Sequence, residues 1–112
     1  MASDYLEVHV TTPDAGTAAS LAHLLVEERL AACVQVVPGV TSVYWWEGSV
    51  ETAEEQLLLV KTTTERFDAL CRRVRAEHPY DTPEVVAVPV AAIDERYAAW
   101  LRAGVGTPQD LP

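Results

Sequence analysis

Apolar and polar residues alternate from residue 6 to residue 10, which is the period of a strand with one buried face. The next three residues are typical of the start of a helix. Thr12 is predicted to be the N-cap, and Pro13, which is followed by Asp14, is predicted to occupy the first helical position. Apolar residues then recur at helical spacing, and this first helix is predicted to end near Glu28. The pattern therefore predicts a strand followed by an amphipathic helix.

The next segment has the pattern of a long β-hairpin. The first arm is predicted to consist of a strand at residues 33–37, a bulge at Pro38 and Gly39, and a continuing strand at 40–46. A turn at 47–49 leads to a returning strand that begins at Val50. This strand is predicted to be irregular at 52–54 and buried at 57–60. β-Branched and aromatic residues are prominent in both arms, as is typical of strands.

An apolar stripe predicts a second helix after Thr64, which is predicted to be its cap. The stripe has the spacing i, i+3, i+4 and i+7 and consists of Phe67, Leu70, Cys71 and Val74. This helix is predicted to end near His78, because Pro79 disfavours a helical conformation in the residue before it.

The last two predicted elements are a strand and a short helix. Residues 84–90 have the composition of a strand. Asp94 is predicted to cap a final helix, because its carboxylate can accept a bond from the first turn. The inward face of that helix is predicted to consist of Tyr97, Trp100 and Leu101.

The order of the elements is strand, helix, strand, strand, helix, strand, with a short C-terminal helix. This order is typical of the ferredoxin-like βαββαβ arrangement, an α+β fold in which helices cover one face of an antiparallel sheet. The sequence predicts one domain over residues 1–103 and a flexible C-terminal tail over residues 104–112.

Composition narrows the classes of partner. The chain has 112 residues, with 17 acidic and 8 basic residues and a formal net charge of -9 at pH 7. Nucleic-acid binding depends on clustered Lys and Arg, so this balance argues against it. The same balance fits a soluble cytoplasmic protein or one that attracts cations. No apolar run approaches the ~20 residues that cross a bilayer, and no apolar signal segment precedes the first strand. We therefore predict a cytoplasmic protein without a membrane partner.

The hairpin carries more aromatic surface than one chain can cover. Tyr44, Trp45 and Trp46 are consecutive, and successive strand residues point to opposite faces, so Trp45 faces away from the other two. Two helices of about three or four turns cannot cover both faces of so long a ribbon. The alternative is a single partly exposed Trp, which needs no partner. We predict that the chain associates with copies of itself through the hairpin.

Residues 78–84, His-Pro-Tyr-Asp-Thr-Pro-Glu, are the most informative polar segment. Their two prolines fix the backbone, which holds the side chains in place. The candidates for a ligand groove where subunits meet are Trp46, Glu47, Lys61, Tyr80 and Glu84. The same groups could instead form a structural hydrogen-bond network, which is the interpretation we favour. No Ser or Cys lies in a nucleophile motif and no glycine loop could bind phosphate, so we predict that the protein is not an enzyme.

Four sequence segments occur in a characteristic order and spacing. They are Arg-Leu-Ala-Ala-Cys at residues 29–33, Val-Pro-Gly-Val-Thr-Ser at 37–42, Tyr-Trp-Trp-Glu-Gly at 44–48, and the segment 78–84. Together they resemble the CutA family, the divalent-cation tolerance proteins, over nearly the whole chain. The resemblance implies a ferredoxin-like subunit assembled into a homotrimer, with hairpins that cross subunit boundaries. It also implies binding of divalent cations and a contribution to copper tolerance.

His78 matches a position that is linked to copper in that family, so the resemblance implies a divalent cation, copper, at His78. Imidazole is a suitable ligand for copper. Glu77 and Val10 stand where the family can have His and Cys, so two of three suggested ligands are absent. The alternative for His78 is an imidazole that interacts with the helix dipole.

Two other functions fit the same fold. The first is a small-ligand sensor like the PII signalling proteins, with sites in the clefts between subunits. The second is a structural trimeric scaffold whose activity depends on a partner.

Overall fold

Residues 3–106, the part of the chain that the computed structural model describes, form a four-stranded antiparallel sheet and three α-helices. The elements are, in chain order, β1 (Tyr5–Thr12), α1 (Ala15–Glu27), β2 (Cys33–Trp46), β3 (Ser49–Thr63), α2 (Phe67–Glu77), β4 (Val86–Pro89) and α3 (Glu95–Gly104). The strands lie in the order β2-β3-β1-β4, and every neighbouring pair is antiparallel. The predicted ferredoxin-like α+β fold with a long hairpin and a short C-terminal helix is confirmed.

The core lies between one face of the sheet and the helices α1 and α2. Alternation along β1 and β3 turns every second side chain toward the helices, as the sequence pattern predicted. The buried apolar side chains of this core include Leu6, Val8, Val10, Leu21, Leu25, Leu58, Val60, Leu70 and Val74. Burial of side chains of this size contributes about 1.5–3 kcal/mol each, so the core stabilises the four-stranded part of the sheet.

The cap of α1 differs from the prediction. Asp14 caps the helix, because its carboxylate accepts a bond of 2.7 Å from the backbone N–H of Thr17. The Thr12 hydroxyl donates instead to the carbonyl of Asp14, at 3.3 Å, so the predicted cap at Thr12 is wrong and Pro13 precedes the helix. The bond from Thr17 also lowers the pKa of Asp14. The predicted end near Glu28 is confirmed.

The hairpin contains the predicted bulge. Val37 pairs with Leu57 and Val40 pairs with Glu55, so two residues of β2 lie opposite one residue of β3. Gly39 has a φ of 72°, which glycine adopts without the strain that a side chain would bring. The bulge therefore lies at Pro38 and Gly39, where the sequence predicted it.

The returning strand is more regular than predicted. Residues 52–54 pair with β2 without interruption, so the predicted disturbance is wrong. Glu54 has a polar partner across the ladder: the Thr41 hydroxyl donates to its carboxylate at 2.6 Å. Cross-strand pairs of this kind stabilise a strand despite low intrinsic propensity.

The second helix begins later than predicted. Thr64 is not its cap, because Thr64–Arg66 forms a 3₁₀ turn and the Thr64 hydroxyl donates to the carbonyl of Ser3 at 2.5 Å. The helix ends at Glu77 and the backbone of His78 is extended, which confirms the predicted end before Pro79. The last strand is shorter than predicted, since only Val86–Pro89 pairs with β1.

Asp94 caps α3 as predicted, and its carboxylate accepts bonds of 3.0 Å from the backbone N–H groups of Arg96 and Tyr97. The predicted inward face is wrong for two of its three members. Leu101 is buried, whereas Tyr97 is exposed and Trp100 is 52% exposed. In this ten-residue helix, the face that packs against the rest of the subunit is narrow and contains only Leu101 of the three predicted residues.

The end of the described chain packs against the segment that joins α1 and β2. Gly104 closes α3, Val105 is buried, and the N–H of Gly106 donates to the carbonyl of Arg29 at 3.2 Å. Residues 104–106 of the predicted tail are therefore packed, and residues 107–112 lie outside the described residues. Within residues 3–106, no helix is both long enough and apolar enough to cross a membrane.

Candidate functional site

The hairpin leaves the four-stranded sheet at Glu55. β1 pairs with β3 as far as Thr12 and Gln56, so Glu55 is the first residue of β3 beyond that ladder. From here to the tip only β2 and β3 pair, and we call residues 40–55 the arm. The group formed by Thr11, Glu55, His78 and Tyr80 lies where the arm begins, and we call it the neck cluster.

His78 is a buried member of the neck cluster with both ring nitrogens in use. Nε2 lies 2.7 Å from the backbone carbonyl of Thr11, and Nδ1 lies 3.1 Å from the backbone N–H of Tyr80. A carbonyl only accepts and an amide N–H only donates, so these partners fix the neutral ring with its hydrogen on Nε2. In this conformation the imidazole has no lone pair free for a metal, and the copper role predicted for His78 stays a prediction that the geometry does not favour.

Tyr80 connects the loop after α2 to the arm. Its hydroxyl donates to Oε2 of Glu55 at 3.0 Å, and its ring lies 4.7 Å from the His78 ring between centroids. Burial and the neighbouring Glu55 carboxylate raise the pKa of Tyr80 to about 12, because both disfavour a tyrosinate. Tyr80 therefore stays a neutral hydrogen-bond donor at physiological pH.

Glu55 is the residue that sequence reasoning missed. It is only 8% exposed, although it is an acidic residue in a strand. The available signal was its position two residues before the apolar run at 57–60, which places it where the buried half of the strand begins. Acidic side chains are rarely buried unless they are paired, so this position is unusual.

The five predicted groove residues do not meet within one subunit. Trp46 ends β2 at the tip of the arm, Glu47 lies in the turn with a φ of 47°, and Lys61 lies near the base of β3. Ser49, the partner of Trp46, is separated from Lys61 by roughly 40 Å along the strand, at about 3.3 Å per residue.

The other residues predicted to line the groove lie far from the tip of the arm. Tyr80 is in the neck cluster, and Glu84 is exposed in the loop before β4. The ammonium group of Lys61 contacts the side-chain carbonyl of Gln35 at 3.0 Å and the carboxylate of Glu7 at 3.5 Å. Glu7 also bonds His9 at 2.9 Å, and this bond lowers the pKa of Glu7. The groove therefore remains a prediction that needs a second copy of the chain.

Metal donors are also dispersed. Among residues 3–106, no group of three or more His, Cys, Asp or Glu side chains could hold a metal ion within one subunit. A cation bound to this protein would therefore take part of its coordination from water or from another copy.

The fold and the neck cluster define a ferredoxin-like α+β protein whose hairpin extends beyond its own core. The family model described as CutA1 divalent ion tolerance protein matches residues 6–104. The chain therefore belongs to the CutA1 family, and the family resemblance seen in the sequence is confirmed. The family description names ion tolerance and no reaction.

Similar proteins agree with this assignment. The divalent-cation tolerance protein CutA of Thermus thermophilus is 52% identical over 99 residues, which is 88% of this chain and 96% of that protein. A solved structure of the Thermus thermophilus protein has a TM-score of 0.89 at 51% identity and covers 91% of this chain and 99% of that one. A protein of Oryza sativa named CutA 1, chloroplastic, is 47% identical over 95 residues, which is 85% of this chain and 54% of the rice protein.

Proposed function

We propose that this protein binds divalent cations, copper among them, and contributes to metal tolerance as a homotrimer. The observation that carries the proposal is the match to the divalent ion tolerance family over residues 6–104. The formal net charge of -9 supports it, because an anionic protein concentrates cations near its surface. We assign the protein no catalytic reaction.

The exposed surface of the arm supports self-association. Its exposed apolar residues are Val43, Tyr44, Trp45, Trp46 and Val50, and they occupy both faces of the ribbon. Trp45 alone is 74% exposed. Contiguous apolar patches of this kind mark interaction surfaces, and the outer edge of β2 offers unpaired backbone groups as well. The number of three copies follows from the family resemblance.

The reach of the arm supports a ligand groove between subunits. An arm that extends from the sheet can place its Trp46 and Glu47 against the surface of another copy. We propose that this contact completes a groove with Tyr80, Lys61 or Glu84 of that copy. The groove would combine an aromatic wall with carboxylates, which suits a cationic ligand.

The chemistry of the surface also limits the partners and the compartment. Cys33 and Cys71 are both unpaired, which supports a reducing environment, and we propose that the protein is cytoplasmic. We propose neither nucleic acid nor a membrane as a partner, because 17 acidic residues face only 8 basic ones. Fractionation of the native host, with detection of the protein in the soluble fraction, tests the compartment.

Calorimetric titration of metal-free protein with Cu²⁺, Zn²⁺ and Ni²⁺ tests the function. We expect saturable binding that is tighter than about millimolar for at least one of these ions. His78→Ala tests the copper site that the family resemblance implies, and His23→Ala is its matched control because His23 is exposed on α1. Absence of saturable binding for all three ions would contradict the proposal.

Mass spectrometry of gently purified protein tests the two other functions. A small molecule carried at one copy per subunit, together with absent metal binding, would favour the sensor. Absence of both ligands from a stable assembly would favour the scaffold. Copper, zinc or nickel retained in the assembly supports the proposal.

A further inference from the structure

We propose that His9 makes the self-association of this protein sensitive to pH: copies associate while His9 is neutral and separate more readily once it is protonated. The inference rests on the proposed self-association and adds a regulatory group to it. His9 lies on β1, in the face of the sheet that points away from α1 and α2.

The sheet register defines this face. Leu6, Val8 and Val10 point into the core, so the residues between them point to the other side of the sheet. The residues that the ladders place beside them form what we call the second face: Glu7 and His9 of β1, Gln35 of β2, Lys61 of β3, and Val86 and Val88 of β4.

The second face has exposed apolar residues and is left uncovered by α1 and α2. The buried side chains of those two helices belong to the core on the opposite side of the sheet. Val86 is 51% exposed and Val88 is 42% exposed. Because apolar sheet surfaces are normally buried against a further layer, we infer that another chain covers the second face.

The charges indicate that this chain is a second copy of the protein. The formal net charge of -9 makes copies repel one another overall. On the second face, however, the ammonium group of Lys61 lies 3.5 Å from the carboxylate of Glu7, and the two charges cancel. Copies can therefore approach through this face without the repulsion that the rest of the surface produces.

His9 is the neutral member of this balanced group. Its Nε2 donates to Oε2 of Glu7 at 2.9 Å, because an ionised carboxylate only accepts hydrogen bonds. This bond lowers the pKa of Glu7 and so keeps the carboxylate ionised. The His9 side chain is 30% exposed, and its Nδ1 has no hydrogen-bond partner among residues 3–106. A second proton would therefore bind at Nδ1.

The groups around His9 determine what that proton does. The residues directly opposite it on β3 and β4 are apolar. Its ionisable neighbours are Glu7 and Lys61, with Cys33 of β2 opposite Lys61 and Arg102 of α3 at the base of β1. Glu7 already neutralises Lys61, so protonation of His9 leaves one positive charge in excess on the second face of each copy.

This excess charge opposes association. Histidine side chains change charge between about pH 5 and pH 8. Copies in a closed ring are related by rotation, so the same surface of every copy lies nearest the axis. With the second face in that place, protonated His9 residues bring like charges together away from water, which disfavours the assembly. We therefore expect association to weaken as the pH falls.

Sedimentation equilibrium of the full chain at about pH 7.5 and about pH 5.5, at constant salt, tests the inference. We expect the association constant to fall by about tenfold or more at the lower pH. Acidification also reduces the net charge of -9, which by itself strengthens association. A decrease therefore indicates a local positive charge rather than the charge of the whole chain.

His9→Gln is the decisive variant, because its amide still donates to Glu7 but takes up no proton in this range. We expect its association constant to differ by less than about twofold between the two pH values. His23→Gln is the matched control: His23 is exposed on α1, and this variant should keep the full decrease. His78, the third histidine, is unaltered in both variants, so its effect is common to them.

Proton uptake keeps the inference open to contradiction if His9→Gln does not fold. Calorimetric dilution of the unaltered protein at about pH 6, in two buffers of different ionisation enthalpy, measures the protons exchanged on dissociation. We expect the separating subunits to take up protons, because association is then linked to neutral His9. Release of protons, or the absence of exchange, would overturn the inference.

The outcomes separate this inference from the proposed function. An equal decrease in the unaltered protein and in His9→Gln overturns the role of His9 and leaves self-association intact. Association of the unaltered protein that does not weaken at the lower pH has the same meaning. A single-chain mass at both pH values contradicts the proposed homotrimer as well.

Discussion

The two halves of strand β3 lie in different environments, and the difference shows which part of the subunit is stable by itself and which part needs a partner. In its basal half, Leu58 and Val60 are buried under α1 and α2. In the arm, Val50 is 59% exposed although it belongs to the same strand and the same class of residue. Strand geometry is therefore similar in both halves, but only the base has helices that cover it. The arm is the part of the subunit that needs a second chain.

The largest expected effect comes from a pair of substitutions on β3. Leu58→Ala should lower the free energy of unfolding by about 2–5 kcal/mol, because it opens a cavity in the core. Val50→Ala is its counterpart in the arm, and in dilute protein we expect a change within about 0.5 kcal/mol. Denaturant unfolding at several protein concentrations measures both. Equal losses in dilute protein would contradict the contrast between base and arm.

The next largest effect is expected on association rather than on folding. Replacing Trp45 and Trp46 together by Ser should weaken self-association by more than about tenfold, because buried interface tryptophans often contribute about 2 kcal/mol or more. Sedimentation equilibrium measures the shift, and circular dichroism checks that the fold is retained. Val26→Thr on α1 is the control, since Val26 is an exposed apolar residue outside the arm. If the tryptophan variant associates as strongly as the unaltered protein, the proposal that the arm mediates self-association is contradicted.

A smaller effect is expected at the neck cluster. His78→Phe keeps an aromatic ring beside Tyr80 but leaves the carbonyl of Thr11 and the N–H of Tyr80 without a partner. We expect a loss of about 1–3 kcal/mol in the free energy of unfolding, which is typical of unsatisfied buried polar groups. His23→Phe on the exposed face of α1 should change it by less than about 0.5 kcal/mol. Equal values for the two variants would show that the His78 bonds are not structural.

The smallest effect is a pH dependence of Tyr80. Its pKa is raised to about 12, mainly by burial and then by the Glu55 carboxylate, so the folded state binds the proton more tightly than the unfolded chain. The stability that Tyr80 contributes is thus fully present below the ordinary tyrosine pKa of about 10 and is lost as the pH rises toward 12. Ultraviolet titration of the 4 tyrosines should show a late step that is absent from Tyr80→Phe. A titration without that step in the unaltered protein would contradict the contact between Tyr80 and the Glu55 carboxylate.

The fold was predictable because its signals are local and periodic. Alternation predicted β1, the apolar stripe predicted α2, and Pro38 with Gly39 predicted the bulge. The caps at Thr12 and Thr64 were wrong because both hydroxyls donate to backbone carbonyls, those of Asp14 and Ser3, instead of capping a helix. Predicting these bonds requires the tertiary path of the chain.

The site was less predictable because it is assembled from distant segments. His78 and Tyr80 were found from their rigid turn, but their partners Thr11 and Glu55 come from two other strands. Sequence spacing does not show that β1 ends where Tyr80 can reach β3. The burial of Glu55 therefore appears only when the register of the sheet is known.

The mass of the folded protein in solution tests the central claim most directly, since that claim is that the arm requires another copy of the chain. Light scattering combined with size exclusion should give the mass of three chains at micromolar concentration, with tryptophan fluorescence typical of a buried environment. A single-chain mass, in protein that circular dichroism shows to be folded and with solvent-exposed tryptophan emission, would contradict the account.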